Sequence, residues 1–145
     1  MRQSLGWGIV LNFVLLAPGA GFGQNTSYTP DANWKAPASA AARENPLTKK
    51  PEAAAGGKKI FMRECVECHG AQGIGLEKKH SADLQSPVVQ SQSDGALFWK
   101  ITNGNPDRGM PSFSRLPEMQ RWQLVLFVRS LAAKTKADPV REPFR

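Results

Sequence analysis

The stretch Cys65-Val66-Glu67-Cys68-His69 governs the interpretation of the whole sequence, because it contains both cysteines of the chain. Two thiols at this spacing on one helical turn can each bond to a vinyl group of one haem, and the adjacent histidine then lies beneath the iron. Cys65, Cys68 and His69 are therefore candidate cofactor-binding residues, and His69 is also a candidate metal ligand. The expected cofactor is one covalent haem c with its iron.

Two other kinds of site use a Cys-x-x-Cys pair. A redox dithiol is typical of thioredoxin-like domains, but this sequence lacks their alternation of strands and helices. Half of a zinc site would need a second pair of ligands, and His80 is the one further histidine or cysteine in the sequence.

Met110 is the candidate for the second axial metal ligand and completes the cofactor-binding set. It follows Gly109, which removes side-chain bulk, and precedes Pro111, which stiffens the loop. Met62 shares the helix of the cysteines and is expected to pack, while Met119 is expected in the core. His80 is an alternative ligand, but its position after two lysines favours a solvated loop residue. Methionine sulfur predicts a relatively high reduction potential.

Four segments of different composition divide the chain. Residues 1–23 have a basic start, an apolar run and a small-residue end, which is typical of a secretory signal peptide. Residues 24–52 are rich in proline and alanine and poor in large apolar side chains, which predicts a flexible tether. Residues 53–133 form the predicted folded domain, and residues 134–145 form a polar C-terminal tail. We therefore expect a periplasmic protein, with an uncleaved membrane anchor as the alternative.

Three helices are predicted inside the domain, so the expected fold class is all-α. The first runs over Ala53–Glu64, the second is capped by Ser93 and ends near Gly104, and the third begins at Pro117. Glycines and prolines break the chain between them. Helices this short bury little surface on their own, so a large apolar cofactor would supply the missing core.

The charge of the chain indicates its partners. Nineteen basic residues against twelve acidic ones give a formal net charge of +7, and the basic residues are scattered. Such an excess can steer acidic partners, but its scatter is also typical of a solvated surface. We expect redox partner proteins, acidic or membrane-bound respiratory enzymes among them. Nucleic acid is not expected, and the chain should be a monomer.

The Cys-Val-Glu-Cys-His motif and the segments around it resemble a class I bacterial cytochrome c of the small single-haem kind. The resemblance covers about residues 53–133 and rests, besides the motif, on Gly57–Phe61, Gly73–Gly75, Asp83-Leu84, Ile101–Gly104, Gly109–Phe113 and Trp122–Leu131. It implies a cytochrome c fold, in which three to four short helices and loops wrap around one covalent haem.

The resemblance also implies a function. The expected protein is a periplasmic single-electron carrier with histidine and methionine axial ligation, and it is an electron-transfer protein with no catalytic residues. One alternative is a dedicated haem subunit tethered to a respiratory dehydrogenase or oxidase. Another is a haem sensor or peroxidase-like protein, in which Met110 would detach from the iron.

Structural expectations follow from the same resemblance. The first helix should cross the last one where Gly57 and Phe61 meet Leu124 and Phe127. The haem pocket should be lined by Leu84, Leu97, Phe98, Ile101 and Phe113. One departure from the family concerns the proline or Gly-Pro usual before the Asp-Leu pair, since Ser81-Ala82 stand there. The carbonyl partner of His69 is therefore not defined by the sequence.

Overall fold

The fold is all-α, as predicted. A computed structural model describes residues 27–137, with side chains up to residue 132. Its helices, in chain order, are α1 Ala38–Ala41, α2 Ala54–Glu64, α3 Val66–His69, α4 Pro87–Gln90, α5 Asp94–Asn103 and α6 Glu118–Ala137. Single 3₁₀ turns lie at Pro51–Ala53, Glu77–Lys79 and Pro106–Arg108. Between residues 27 and 137, β-pairing is limited to one isolated bridge, which joins Asn105 and Met110.

The crossing of α2 and α6 is the structural centre, and it confirms the expected contact. Gly57 is buried against the backbone of Gln123, so that a β-carbon at Gly57 would lie 2.6 Å from the Gln123 carbonyl carbon. The rings of Phe61 and Phe127 pack with their centroids 5.0 Å apart. A residue without a side chain is needed at position 57, because only then can the two backbones approach this closely.

Helix α5 begins and ends where the sequence predicts. The Ser93 hydroxyl accepts a hydrogen bond from the Ala96 backbone N–H at 3.1 Å, and Gly104 follows the helix with φ of 67°. Arg129 of α6 donates to the Asp94 carboxylate at 2.8 Å and to the Gln90 carbonyl at 2.7 Å. These bonds attach the start of α5 to α6, and α6 contributes to two buried clusters, one with α5 and one with α2.

The segment before α2 differs from the flexible tether that composition predicts. Leu47 is only 8% exposed and joins the core cluster of α5 and α6. The buried Asn45 amide donates to the Trp122 carbonyl at 3.3 Å. A few anchoring contacts hold the segment, although its average composition is polar. The boundaries of the four segments stay a prediction.

The ends of the described chain qualify two further expectations. Helix α6 continues to Ala137, whereas the polar tail was predicted to start at residue 134. The proposed signal peptide and residues 138–145 lie outside the described residues.

The expectation that Met119 lies in the core is wrong, since its side chain is 50% exposed. The sequence suggested a buried position because apolar residues occur on nearly all sides of α6. Among the helices of residues 27–137, none combines the length and apolar character needed to cross a membrane.

Candidate functional site

One turn of helix positions the two cysteines and the histidine. Helix α2 ends at Glu64, Cys65 follows with φ of −120°, and the chain continues as α3. The His69 N–H donates to the Cys65 carbonyl at 2.9 Å, which closes the turn. Both thiols are unpaired, and all three side chains line the same cavity. The structure therefore brings Cys65, Cys68 and His69 together as the motif predicts.

His69 is held as a neutral, oriented imidazole. Burial lowers its pKa, and its Nδ1 lies 3.0 Å from the Ala82 carbonyl oxygen. A carbonyl can only accept, so Nδ1 carries the hydrogen and Nε2 keeps the lone pair that a metal ligand needs. The carbonyl partner left open by the sequence is therefore that of Ala82.

Ser81 fixes the loop that presents this carbonyl, a role that the sequence does not predict. Its hydroxyl donates to the Cys68 carbonyl at 2.5 Å and accepts from the Leu76 N–H at 2.9 Å. The bonds connect the loop to the cysteine turn immediately before Ala82. No pattern in the sequence distinguishes this serine from other loop serines.

The thiols and the imidazole open onto a crevice made of two adjoining cavities. The outer cavity has a volume of about 260 Å³ and the inner one about 120 Å³. Cys65, His69 and Met110 line both, while Cys68 lines the outer one. The four predicted site residues therefore share one crevice.

The other candidate ligands lie elsewhere or at the rim. Met62 is 41% exposed and lines neither cavity. Met119 is also exposed and lines neither cavity. His80 is exposed in a left-handed turn with φ of 47°, where it lines the outer cavity. Among the described methionines, Met110 alone reaches the crevice.

Apolar side chains form the inner wall. Four of the five predicted lining residues are present there: Leu84, Leu97, Ile101 and Phe113. Phe98 does not line either cavity. It is stacked on Trp122 with ring centroids 4.0 Å apart, on the other flank of α5. Phe98 therefore packs against α6 outside the crevice, which accounts for this one difference.

The chemistry of the donor groups separates the three kinds of site. Burial raises the pKa of Cys65 to about 12, so this thiol is not the activated cysteine of a reactive dithiol. No cluster of three or more histidine, cysteine or acidic side chains lies within residues 27–132 that could hold a zinc ion. Two thiols, a neutral imidazole, a thioether and apolar walls fit a covalently attached haem.

Three further residues line the crevice, and the sequence did not predict them there. Tyr28, Asp31 and Trp34 line both cavities, although they precede the predicted domain. The signal that could have found them is the presence of two large aromatic residues in a segment otherwise poor in apolar side chains. Aromatic rings of this size are usually buried against a partner surface.

Comparison with known proteins gives one family. The family model described as "Cytochrome C oxidase, cbb3-type, subunit III" matches residues 52–128. No curated protein matches the chain in sequence. The matched region begins at the 3₁₀ turn before α2 and ends in α6, so it contains all four predicted site residues.

Proposed function

The chain belongs to the cytochrome c family described as cytochrome c oxidase, cbb3-type, subunit III, and we propose that it is a periplasmic single-electron carrier. Cys65 and Cys68 attach one haem c through thioether bonds in this proposal, and His69 and Met110 are its axial ligands. When bound, the haem supplies an iron centre that gains or loses one electron.

The observation that carries the proposal is the shared crevice of the four residues. Two free thiols and a neutral imidazole occupy one helical turn, and Met110 lines the same cavity. The Ala82 carbonyl keeps the Nδ1 hydrogen in place, which leaves Nε2 as the donor atom toward the iron. If His69 and Met110 held the iron as proposed, no position would be open for a substrate, and the haem would supply one-electron transfer.

Met110 as an axial ligand is tested by the absorption spectrum and reduction potential of exported, haem-loaded protein. The wild type should show haem that survives acid-acetone extraction and a weak long-wavelength sulfur-to-iron band. Met110→Ala should lose that band. Its potential should fall by on the order of 0.1 V, a modest part of the roughly 0.8 V that axial ligands span.

The matched control is Met119→Ala. It makes the same chemical change at a side chain that is 50% exposed and outside both cavities, so band and potential should stay as in the wild type. A band that persists in Met110→Ala would refute the ligand assignment. Wild-type protein that is colourless after export with haem supply would refute the cofactor.

A second candidate is favoured by the description of the family, which refers to a subunit of an oxidase. In it, the chain is a dedicated haem subunit of a respiratory enzyme, and the electron passes within a complex. Detergent extraction followed by size-exclusion chromatography at low ionic strength separates the two candidates. A free carrier elutes alone, whereas a subunit elutes with its oxidase or dehydrogenase and their activity.

A further inference from the structure

The N-terminal strap, residues 27–34, forms one wall of the crevice. Tyr28, Asp31 and Trp34 line both cavities together with His69 and Met110. Tyr28 is half-buried, and burial raises its pKa, so its hydroxyl stays neutral. The strap lies outside residues 52–128, the part matched by the family model. The family match therefore does not account for this wall.

The strap is hydrogen-bonded to the Met110 loop, residues 104–110. The Trp34 indole N–H donates to the Gly104 carbonyl at 2.9 Å. The Asn105 amide donates to the Asp31 carboxylate at 3.3 Å. The other carboxylate oxygen of Asp31 accepts from the Asn33 N–H at 2.9 Å, which fixes its orientation. Two side chains of the strap therefore hold the first two residues of the loop.

A cation also holds the Trp34 ring in place. The Lys100 ammonium lies 4.4 Å from the ring centroid, over its face, and Lys100 belongs to α5. Such a contact is stabilising where the cation is partly desolvated. Trp34 is thus clamped between α5 and the start of the Met110 loop.

The Met110 loop closes on itself through backbone hydrogen bonds. Asn105 and Met110 exchange two backbone hydrogen bonds, of 2.8 and 3.0 Å, around the short turn Pro106–Arg108. These bonds fix the shape of the loop. Residues 106–109 are exposed, while Met110 packs against the core cluster formed mainly by α2 and α6. Contacts at residues 104 and 105 act together with this packing on where Met110 lies.

We infer that the N-terminal strap is a positioning element that keeps Met110 on the haem iron through Trp34 and Asp31. The inference rests on the proposed function, since it requires Met110 as the axial ligand. If the strap detached from the Met110 loop, the loop could move away from the crevice and the Met110 sulfur could dissociate from the iron. Small external ligands such as cyanide would then reach the ferric iron more often.

The experiment compares cyanide binding to ferric haem-loaded protein in the wild type, Trp34→Phe and Asp31→Ala. Trp34→Phe keeps an aromatic ring but removes the N–H donor. Loss of one hydrogen bond to a buried carbonyl should raise the population of the open loop about tenfold, and the binding rate with it. Asp31→Ala should change the rate in the same direction. The covalent haem should be retained in both variants.

The matched control is Trp99→Phe, which makes the same change on α5 at a tryptophan outside the crevice. Its cyanide rate should equal that of the wild type. Rates in Trp34→Phe and Asp31→Ala that also equal the wild type, with the sulfur-to-iron band present, would overturn the strap's role and leave the ligand assignment intact. Absence of the band from the wild type would instead overturn the ligand assignment, and the inference with it.

Discussion

Gly95→Ala tests whether the segment before α2 is packed against the helices. Gly95 lies in the first turn of α5, beneath the carbonyls that end α1. A β-carbon there would lie 2.7 Å from the Arg43 carbonyl oxygen and 2.9 Å from that of Ala41, and closer still to that of Ala40. Carbon and oxygen atoms that are not bonded need roughly 3.5 Å. Because all three obstacles are backbone atoms, no side-chain rotation can relieve the contact.

Two effects of opposite sign decide the result. Alanine in place of a helical glycine favours folding by up to about 1 kcal/mol. Overpacking against backbone typically costs about 1–3 kcal/mol. If residues 38–47 detached to relieve the clash, the burial of Leu47 would be lost instead. The structure therefore predicts a net loss of up to about 2 kcal/mol, or a fall in Tm of up to roughly 10 °C for a domain of this size. If residues 38–47 were a free tether, Gly95→Ala would instead raise the free energy of unfolding by up to about 1 kcal/mol.

The assay is thermal unfolding of haem-loaded protein, followed by limited trypsin digestion. Cleavage after Arg43 should accelerate in Gly95→Ala, because residues 38–47, which contain Arg43, are pushed away from α5. The control is Gly56→Ala in α2, whose β-carbon would meet only the flexible end of the Gln123 side chain at 3.0 Å. That variant should be as stable as the wild type or slightly more stable. If Gly95→Ala matched it in Tm and in cleavage rate, the packing of residues 38–47 would be refuted.

Two more substitutions test the helix framework. Gly57→Ala should lower the free energy of unfolding by about 3 kcal/mol or more in a denaturant titration, because its β-carbon collides with the Gln123 carbonyl; stability equal to Gly56→Ala would contradict this. Ser93→Ala should cost about 1–2 kcal/mol, since Ser93 caps α5 and donates to the Ala41 carbonyl at 2.6 Å. Ser93→Asp keeps the cap acceptor but cannot donate to Ala41, so full recovery of stability by that variant would argue against the second bond.

The elements that sequence predicted are those with strong local signals. Helix α2 carries an unbroken apolar pattern into the cysteines, and Ser93 and Gly104 mark the two ends of α5. The cysteine motif places its own three side chains, because one helical turn brings them to one face. Met110 could be proposed because it stands in a loop between glycine and proline, where a side chain can be presented to a site.

The features that sequence did not predict depend on partners far away in the chain. The Ala82 carbonyl, which receives His69, belongs to the backbone and leaves no mark in the residue type. Asn45 likewise binds a backbone carbonyl, that of Trp122. Composition averages over such single contacts, so a segment with a few anchors looks the same as one with none.

The packing of residues 38–47 bears on how the strap can work. Holding residues 27–34 on the Met110 loop costs conformational entropy, and the loss grows with the length of free chain between fixed points. Leu47 in the core and the Ser93 contact at Ala41 place fixed points shortly after Trp34. The strap therefore starts from an anchored end rather than from the distant α2. The hydrogen bonds of Trp34, Asp31 and Thr29 to the loop, with the contact of the Trp34 ring to Lys100 of α5, then have less conformational entropy to offset than they would for a strap on a free tether.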